Sequence, residues 1–147
     1  MLTRLIYVSR AFSPLPLDLK DILLTARKSN AVLGITGVMC FLDGIYFQCI
    51  EGEACAVSTL YQKIERDPRH QGMKLLIREP IALRDYPEWS MALLTWNEDT
   101  KAIFRLFNPD IALDVYATDP TRALLMLRAW SRTSNWMTLP APAEGNA

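Results

Sequence analysis

The first residues alternate. In TRLIYVSR (3–10), Leu5, Tyr7 and Ser9 fall on one side of an extended backbone and Ile6 and Val8 on the other, which predicts a short strand. SPLP closes it. From about Leu17 to Asn30 the pattern takes a helical period, with Leu19, Ile22, Leu23 and Ala26 as the apolar stripe. GITGVMCFL-DG-IYFQCI (34–50) then reads as a hairpin, because both central residues of a type I′ turn need positive φ and Asp-Gly tolerates it. Val57, Leu60, Tyr61 and Ile64 predict a second helix from Ala54 to Arg66. Asp67-Pro68 ends it, since a residue before proline avoids the helical region. KLLIREPI (74–81) and WSMALLTW (89–96) are the remaining strands.

The order β-α-β-β-α-β-β begins with the split β-α-β arrangement. It predicts an α+β, ferredoxin-like sheet with two helices on one face. The other face, with Ile6, Val8, Phe47 and Cys49, is also apolar and needs a cover. TKAIFRLF (100–107) and TRALLMLRAW (121–130) can supply it, the second with Thr118-Asp119 and Pro120 as a helix start. The second reads as apolar nearly all round, so it is expected to be buried or shared with another copy of the chain.

Composition narrows the classes. Lys plus Arg and Asp plus Glu balance at 16 each in 147 residues, which gives no overall electrostatic footprint for direct nucleic-acid binding. No apolar run is long enough for a membrane span, and the amino terminus lacks a signal-peptide layout. Cys40, Cys49 and Cys55 show no CxxC spacing and read as free thiols of a cytoplasmic protein. His70 is the single histidine, so neither a multi-His metal site nor a triad is available. No phosphate-binding glycine motif or nucleophile elbow occurs.

Several polar residues stand where a core is expected. Gln48 shares a strand face with Tyr46 and Ile50, and a buried amide requires partners. Tyr7 lies on a strand that this topology can bring near it. A structural tyrosine–glutamine bond accounts for the pair, and so does a ligand. Arg27 and Asn30 continue the first helix's stripe, either as a snorkelling side chain and a cap or as polar lining. Lys63 and Asp67, with Arg69 and His70 just beyond, form either a solvated turn or the polar end of a slot between the helices. Such a slot suits a flat heterocycle with a polar or phosphorylated tail. Trp89 and Met91 alternate on the fifth strand and read as edge packing; Glu51-Gly52 reads as a strand exit.

Taken in order, RLIYVSR, ARKSN, GITGVMCFLDGIYFQCIEGE, IERDPRH and YPEWSM resemble the BLUF domain, the family of blue-light sensors that use FAD, over residues 1 to about 96. The resemblance implies a flavin-binding domain at 1–97, a carboxyl-terminal helical cap at 98–136 and a flexible tail at 137–147. It implies non-covalent FAD between the two helices, with Tyr7 as photochemical electron donor and Gln48 bridging it to the flavin. Asn30 matches the asparagine at the C4 carbonyl edge. Lys63, Asp67, Arg69 and His70 match positions around the ribityl and phosphate end. Arg27 and Ser29 complete the expected cofactor-binding set; Ser29 stands where relatives often carry His or Asn. Trp89 and Met91 match the pair thought to respond to the switch. The function implied is a photoreceptor, not an enzyme, that forms an oligomer and signals to a separate partner protein. The alternatives are a ferredoxin-like flavin or small-molecule protein without photochemistry, and an interaction module whose slot is filled by side chains.

Overall fold

The computed structural model describes residues 1–11, 19–89, 91–133 and 136–137. The SPLP segment and the APAEGNA tail lie outside the described residues, as do the side chains of Leu19, Ile22 and Leu23. β1 (Leu2–Ala11) is buried from Thr3 to Ser9 and lies between β3 (Ile45–Glu53) and β4 (His70–Pro80), antiparallel to both. β2 (Thr36–Leu42) pairs antiparallel with β3 and parallel with β5 (Ala92–Thr95). With β6 at Trp136–Met137, the sheet order is β4-β1-β3-β2-β5-β6, and its first four strands are the arrangement expected of the split β-α-β order.

Local chemistry sets the boundaries. Asp43 and Gly44 close the β2–β3 hairpin with φ of 53° and 79°, as a type I′ turn requires. Gly37 lets β2 approach β3 closely, since a Cβ there would lie 2.0 Å from the Cys49 carbonyl oxygen. α1 (Leu19–Leu33) runs a turn past Asn30, which is therefore not its cap. Gly34, at φ 68°, ends the helix, and the Ile35 N–H donates to the Asn30 carbonyl at 2.9 Å. α2 (Ala54–Glu65) stops before Asp67-Pro68 as predicted.

The fifth strand is shorter than WSMALLTW suggests. It begins at Ala92, because pairing with β2 starts at Val38↔Ala92; Trp89 and Met91 precede it. β4 is longer than expected, because β1 holds its start through Arg10↔Gln71 and Ala11↔His70.

Beyond β5, Asn97 and Thr100 form a reciprocal capping box for α3 (Glu98–Phe107). Asp119 caps α4 (Pro120–Ser131), with proline at its start. β6 (Trp136–Met137), in a region expected to be helical cap and tail, pairs instead with Leu93 and Leu94 of β5.

Two cores result. α1 and α2 cover Leu5, Tyr46 and Ile50, while α3 and α4 cover Ile6, Val8, Phe47 and Cys49. α4 is not apolar all round. It buries Ala123, Met126, Leu127 and Trp130, and its far side carries Arg122 and Arg128 beside Leu125. Trp130 is completely buried, 5.6 Å from the Phe47 ring, and donates from Nε1 to the Thr100 carbonyl at 3.0 Å. Trp130→Ala should therefore destabilise the whole fold by about 3–5 kcal/mol, read as a lower urea midpoint. An unchanged midpoint would mean that the cap is not part of the core.

Candidate functional site

The face carrying Leu5 and Ile50 is not closed by apolar packing alone. Between α1 and α2 lies a cleft that is partly open to solvent. α1 contributes Thr25, Ala26, Ser29 and Asn30; α2 contributes Leu60, Lys63 and Ile64. Asp67, Arg69 and His70 line the cleft beyond α2, and Gln48 reaches it from the sheet. Ala26, Leu60 and Ile64 are apolar among side chains that carry donors and acceptors, a combination that suits a planar heterocycle with a polar tail.

Tyr7 and Gln48 are direct cross-strand partners in the β1–β3 register, so their side chains emerge side by side on the helix face. The Tyr7 hydroxyl donates to Gln48 Oε1. On the other side of the amide, Gln48 Nε2 donates to Met91 Sδ at 3.6 Å. A thioether can only accept, so both contacts agree on the amide's orientation. Tyr7 is fully buried, and burial, helped by Tyr61, Tyr46 and Asp67, holds its phenol pKa well above the usual value. The phenol is a proton donor at rest.

The remaining polar positions divide. Arg69 grips Asp67 through Nε and Nη2, with contacts between 2.6 and 3.1 Å, and the Arg69 N–H adds a turn bond to Oδ1. The Arg69 side-chain bonds keep the Asp67 carboxyl below its ordinary pKa. His70 Nδ1 lies 2.8 Å from Ser9 Oγ, and its ring is 4.5 Å from that of Tyr46.

Arg27 is not among the cleft-lining residues. It is buried, and its Nε donates to the Met91 carbonyl at 3.1 Å. The two members of the predicted edge pair also part company. Met91 packs on the cleft side, whereas Trp89 packs in the opposite core, stacked on Tyr86 at 5.5 Å and 5.6 Å from Trp136.

Glu51 is more than a strand exit. Completely buried, its carboxylate accepts from Arg4 Nε and Nη2 and from the backbone N–H groups of Asp85 and Tyr86. The adjoining glycine hides this in the sequence, because a carboxylate before a turn ordinarily points into water. Ser9 is likewise legible only as a neighbour of Tyr7 on one face.

A family model described as "Sensors of blue-light using FAD" matches residues 2–92. The chain belongs to the BLUF family. Members bind a flavin, and a cleft lined by both apolar and polar side chains fits one. Photoactivated adenylate cyclase subunit beta of Euglena longa is 42% identical over 96 residues, covering 64% of this chain and 11% of that protein. The chain thus spans about a tenth of the length of that curated relative. The blue light- and temperature-regulated antirepressor BluF of Escherichia coli is 30% identical over 94 residues, covering 63% of this chain and 23% of that protein. Among solved structures, the photo-activated state of BlsA overlaps at TM-score 0.83 and 30% identity, covering 92% of this chain and 98% of that one. The dark state of BlrB overlaps at TM-score 0.71 and 31% identity, covering 88% and 94%. These structural neighbours share the ferredoxin-like fold. Among the described residues, no helix is long and apolar enough to cross a membrane.

Burial pushes the pKa of His70 from 6.5 down to about 4, against the opposing pull of Asp67. Between those values the unfolded BLUF chain binds the proton that the folded one refuses. This contribution to stability is therefore complete above pH 6.5 and is lost as pH falls toward 4. A difference of that size amounts to about 3 kcal/mol. His70→Gln should flatten the urea midpoint against pH in this window relative to the parent chain. Asp67, whose carboxyl is held low, acts only at more acidic pH. Equal slopes in both proteins would refute the assignment to His70.

Proposed function

We propose that this BLUF protein is a blue-light photoreceptor that holds FAD non-covalently in the cleft between α1 and α2. In this reading it has no enzymatic activity of its own and signals in the cytoplasm to a separate partner protein, itself working as an oligomer. The observation that carries the photochemical part is the buried hydrogen bond from Tyr7 to Gln48, with Gln48 reaching the cleft. In this reading Asn30 and Ser29, which line the cleft, would hold the ring, and Lys63, Asp67, Arg69 and His70, which also line it, would hold the ribityl and phosphate tail. When bound, FAD supplies a blue-absorbing ring that can take up an electron.

The chain's own groups do the rest. A neutral phenol that loses an electron becomes strongly acidic, and Gln48 Oε1 is the acceptor already in line with its proton. Once the electron and the proton have returned to Tyr7, a Gln48 amide that has turned presents its donor and acceptor sides exchanged. A carbonyl oxygen turned toward Met91 Sδ meets an atom that cannot donate, so the present contact to Met91 is broken. Loss of that contact frees residues 89–91 to change position, which biases two arrangements rather than driving a rigid lever.

The route onward runs through the outer core. Trp89 stacks on Tyr86, whose hydroxyl lies 2.7 Å from Ser131 Oγ at the end of α4. Asp85, next in the chain, accepts from Arg128 of α4 at 2.9 Å. The two relatives named above as cyclase and antirepressor differ in output, and this chain spans nearly the full length of BlsA and BlrB. Output through a helical surface to another protein is part of this reading.

The purified protein should be yellow, should release FAD on denaturation, and should show a small reversible red shift in blue light. Tyr7→Phe, which keeps the ring but deletes its proton, and Gln48→Leu should each retain flavin and lose the shift. Flavin without any shift in the parent protein would favour a flavin protein lacking photochemistry. A normal shift in Tyr7→Phe would remove the proposed roles.

Tyr86→Phe keeps the stack on Trp89 and deletes the bond to Ser131. It should leave the red shift in place while abolishing any light–dark difference in hydrogen exchange along α4. Removing everything after Asn97 is a poorer test, because it uncovers the apolar face that Trp130 and its neighbours bury. An α4 that exchanges identically in dark and light in the parent chain would exclude this route.

A further inference from the structure

Arg27 carries a charge into the core without any carboxylate partner in ion-pairing range among the described residues. Its Nη1 and Nη2 groups are buried and have no hydrogen-bond partner among the described residues. Nε alone is engaged, on the Met91 carbonyl. A guanidinium in this setting bears a desolvation cost that an apolar side chain of similar length would avoid. What the guanidinium adds over such a side chain is one hydrogen bond to one backbone carbonyl. That carbonyl belongs to the residue whose thioether accepts from Gln48 Nε2.

The four groups form a continuous series: the Tyr7 hydroxyl, the Gln48 amide, Met91, and the Arg27 guanidinium. Met91 comes just before β5, outside the regular pairing that begins at Val38↔Ala92. Trp89, two residues earlier, is tied by its carbonyl to the Gly37 N–H at 2.9 Å. Between these points a hydrogen bond from α1 reaches the Met91 backbone. We propose that Arg27 is a positioning residue for the switch rather than a flavin-binding one: its hold on the Met91 carbonyl keeps the Met91 thioether on the Gln48 amide in the dark arrangement.

The light-dependent half of this proposal rests on the photoreceptor reading, and the dark half does not. Methyl-labelled methionine resonances, with Met91 assigned by Met91→Leu, report the dark position directly. In Arg27→Met the Met91 methyl resonance should shift or broaden in the dark, and Arg27→Lys, which keeps a donor within reach, should restore it in part. The red-shifted state of Arg27→Met should decay more slowly by about threefold or more, the factor expected when one hydrogen bond drawing the segment back is lost. If Arg27→Met fails to fold, Arg27→Gln makes the same comparison. An unshifted Met91 resonance with a decay as fast as the parent's overturns the proposal. A parent protein that binds flavin but never shifts would defeat the photoreceptor reading, and the dark resonance would still decide the role of Arg27.

Discussion

The carboxylate of Glu51 has no exposed surface, and a charge so placed must be met by donors or it would unfold the strand that bears it. Arg4, equally sequestered on the neighbouring strand, meets it with two nitrogens and extends to Glu79 and Asp85. The N–H groups of Asp85 and Tyr86 complete the shell. This one requirement fixes the loop between β4 and β5 against the end of β1 and β3. It thereby places Tyr86 under Trp89 and Asp85 beside Arg128 of α4. Two layers of helix on opposite faces of a sheet are thus joined by a loop held at a buried ion pair.

The elements that could be read from the sequence were those decided by local chemistry. The Asp-Gly turn, the alternation in residues 3–10, the Asp67-Pro68 stop and the Asp119-Pro120 start each act within a few residues, and each stands in the fold as expected. Alternation also sorted Tyr7 and Gln48 to one face and Phe47 and Cys49 to the other: Tyr7 lies against Tyr61 of α2 and Gln48 reaches the cleft, while Phe47 and Cys49 sit in the outer core. The extent of β4 and β5 was not legible, because it depends on which partner strand reaches how far. β6 was not legible either, since a two-residue strand has no periodicity to find.

The polar residues show the same limit more sharply. Asn30 read either as a cap or as polar lining because a helical stripe ended there, and Gly34 is what stops the helix. Arg27 and Asn30 share a stripe, yet one reaches the Met91 carbonyl and the other lines the cleft. A difference of three residues is almost one turn, so both lie on the same broad face, and only the neighbouring segment 89–91 separates their roles. Glu51 was hidden by its setting before a glycine. The partners that make its burial tolerable come from residues 4, 85 and 86, far away in sequence.

How a change at Gln48 could reach the outer helices follows from where the sheet is stiff. β1 and β3 are bonded on both edges and buried on both faces, so displacement of a side chain on one face is poorly transmitted straight through them. Residues 89–91 are different. Trp89 belongs to the outer core and Met91 to the cleft side, so this short stretch, entering the sheet beside β2, has a side chain in each layer. Among the described residues, the Trp89 carbonyl is bonded to Gly37, the Met91 carbonyl to Arg27 and the Met91 sulfur to Gln48. The last of these ends on the amide that bonds Tyr7. With Met91 on that amide and Trp89 packed among the outer aromatic rings, this is where a rotated amide would have its largest mechanical effect.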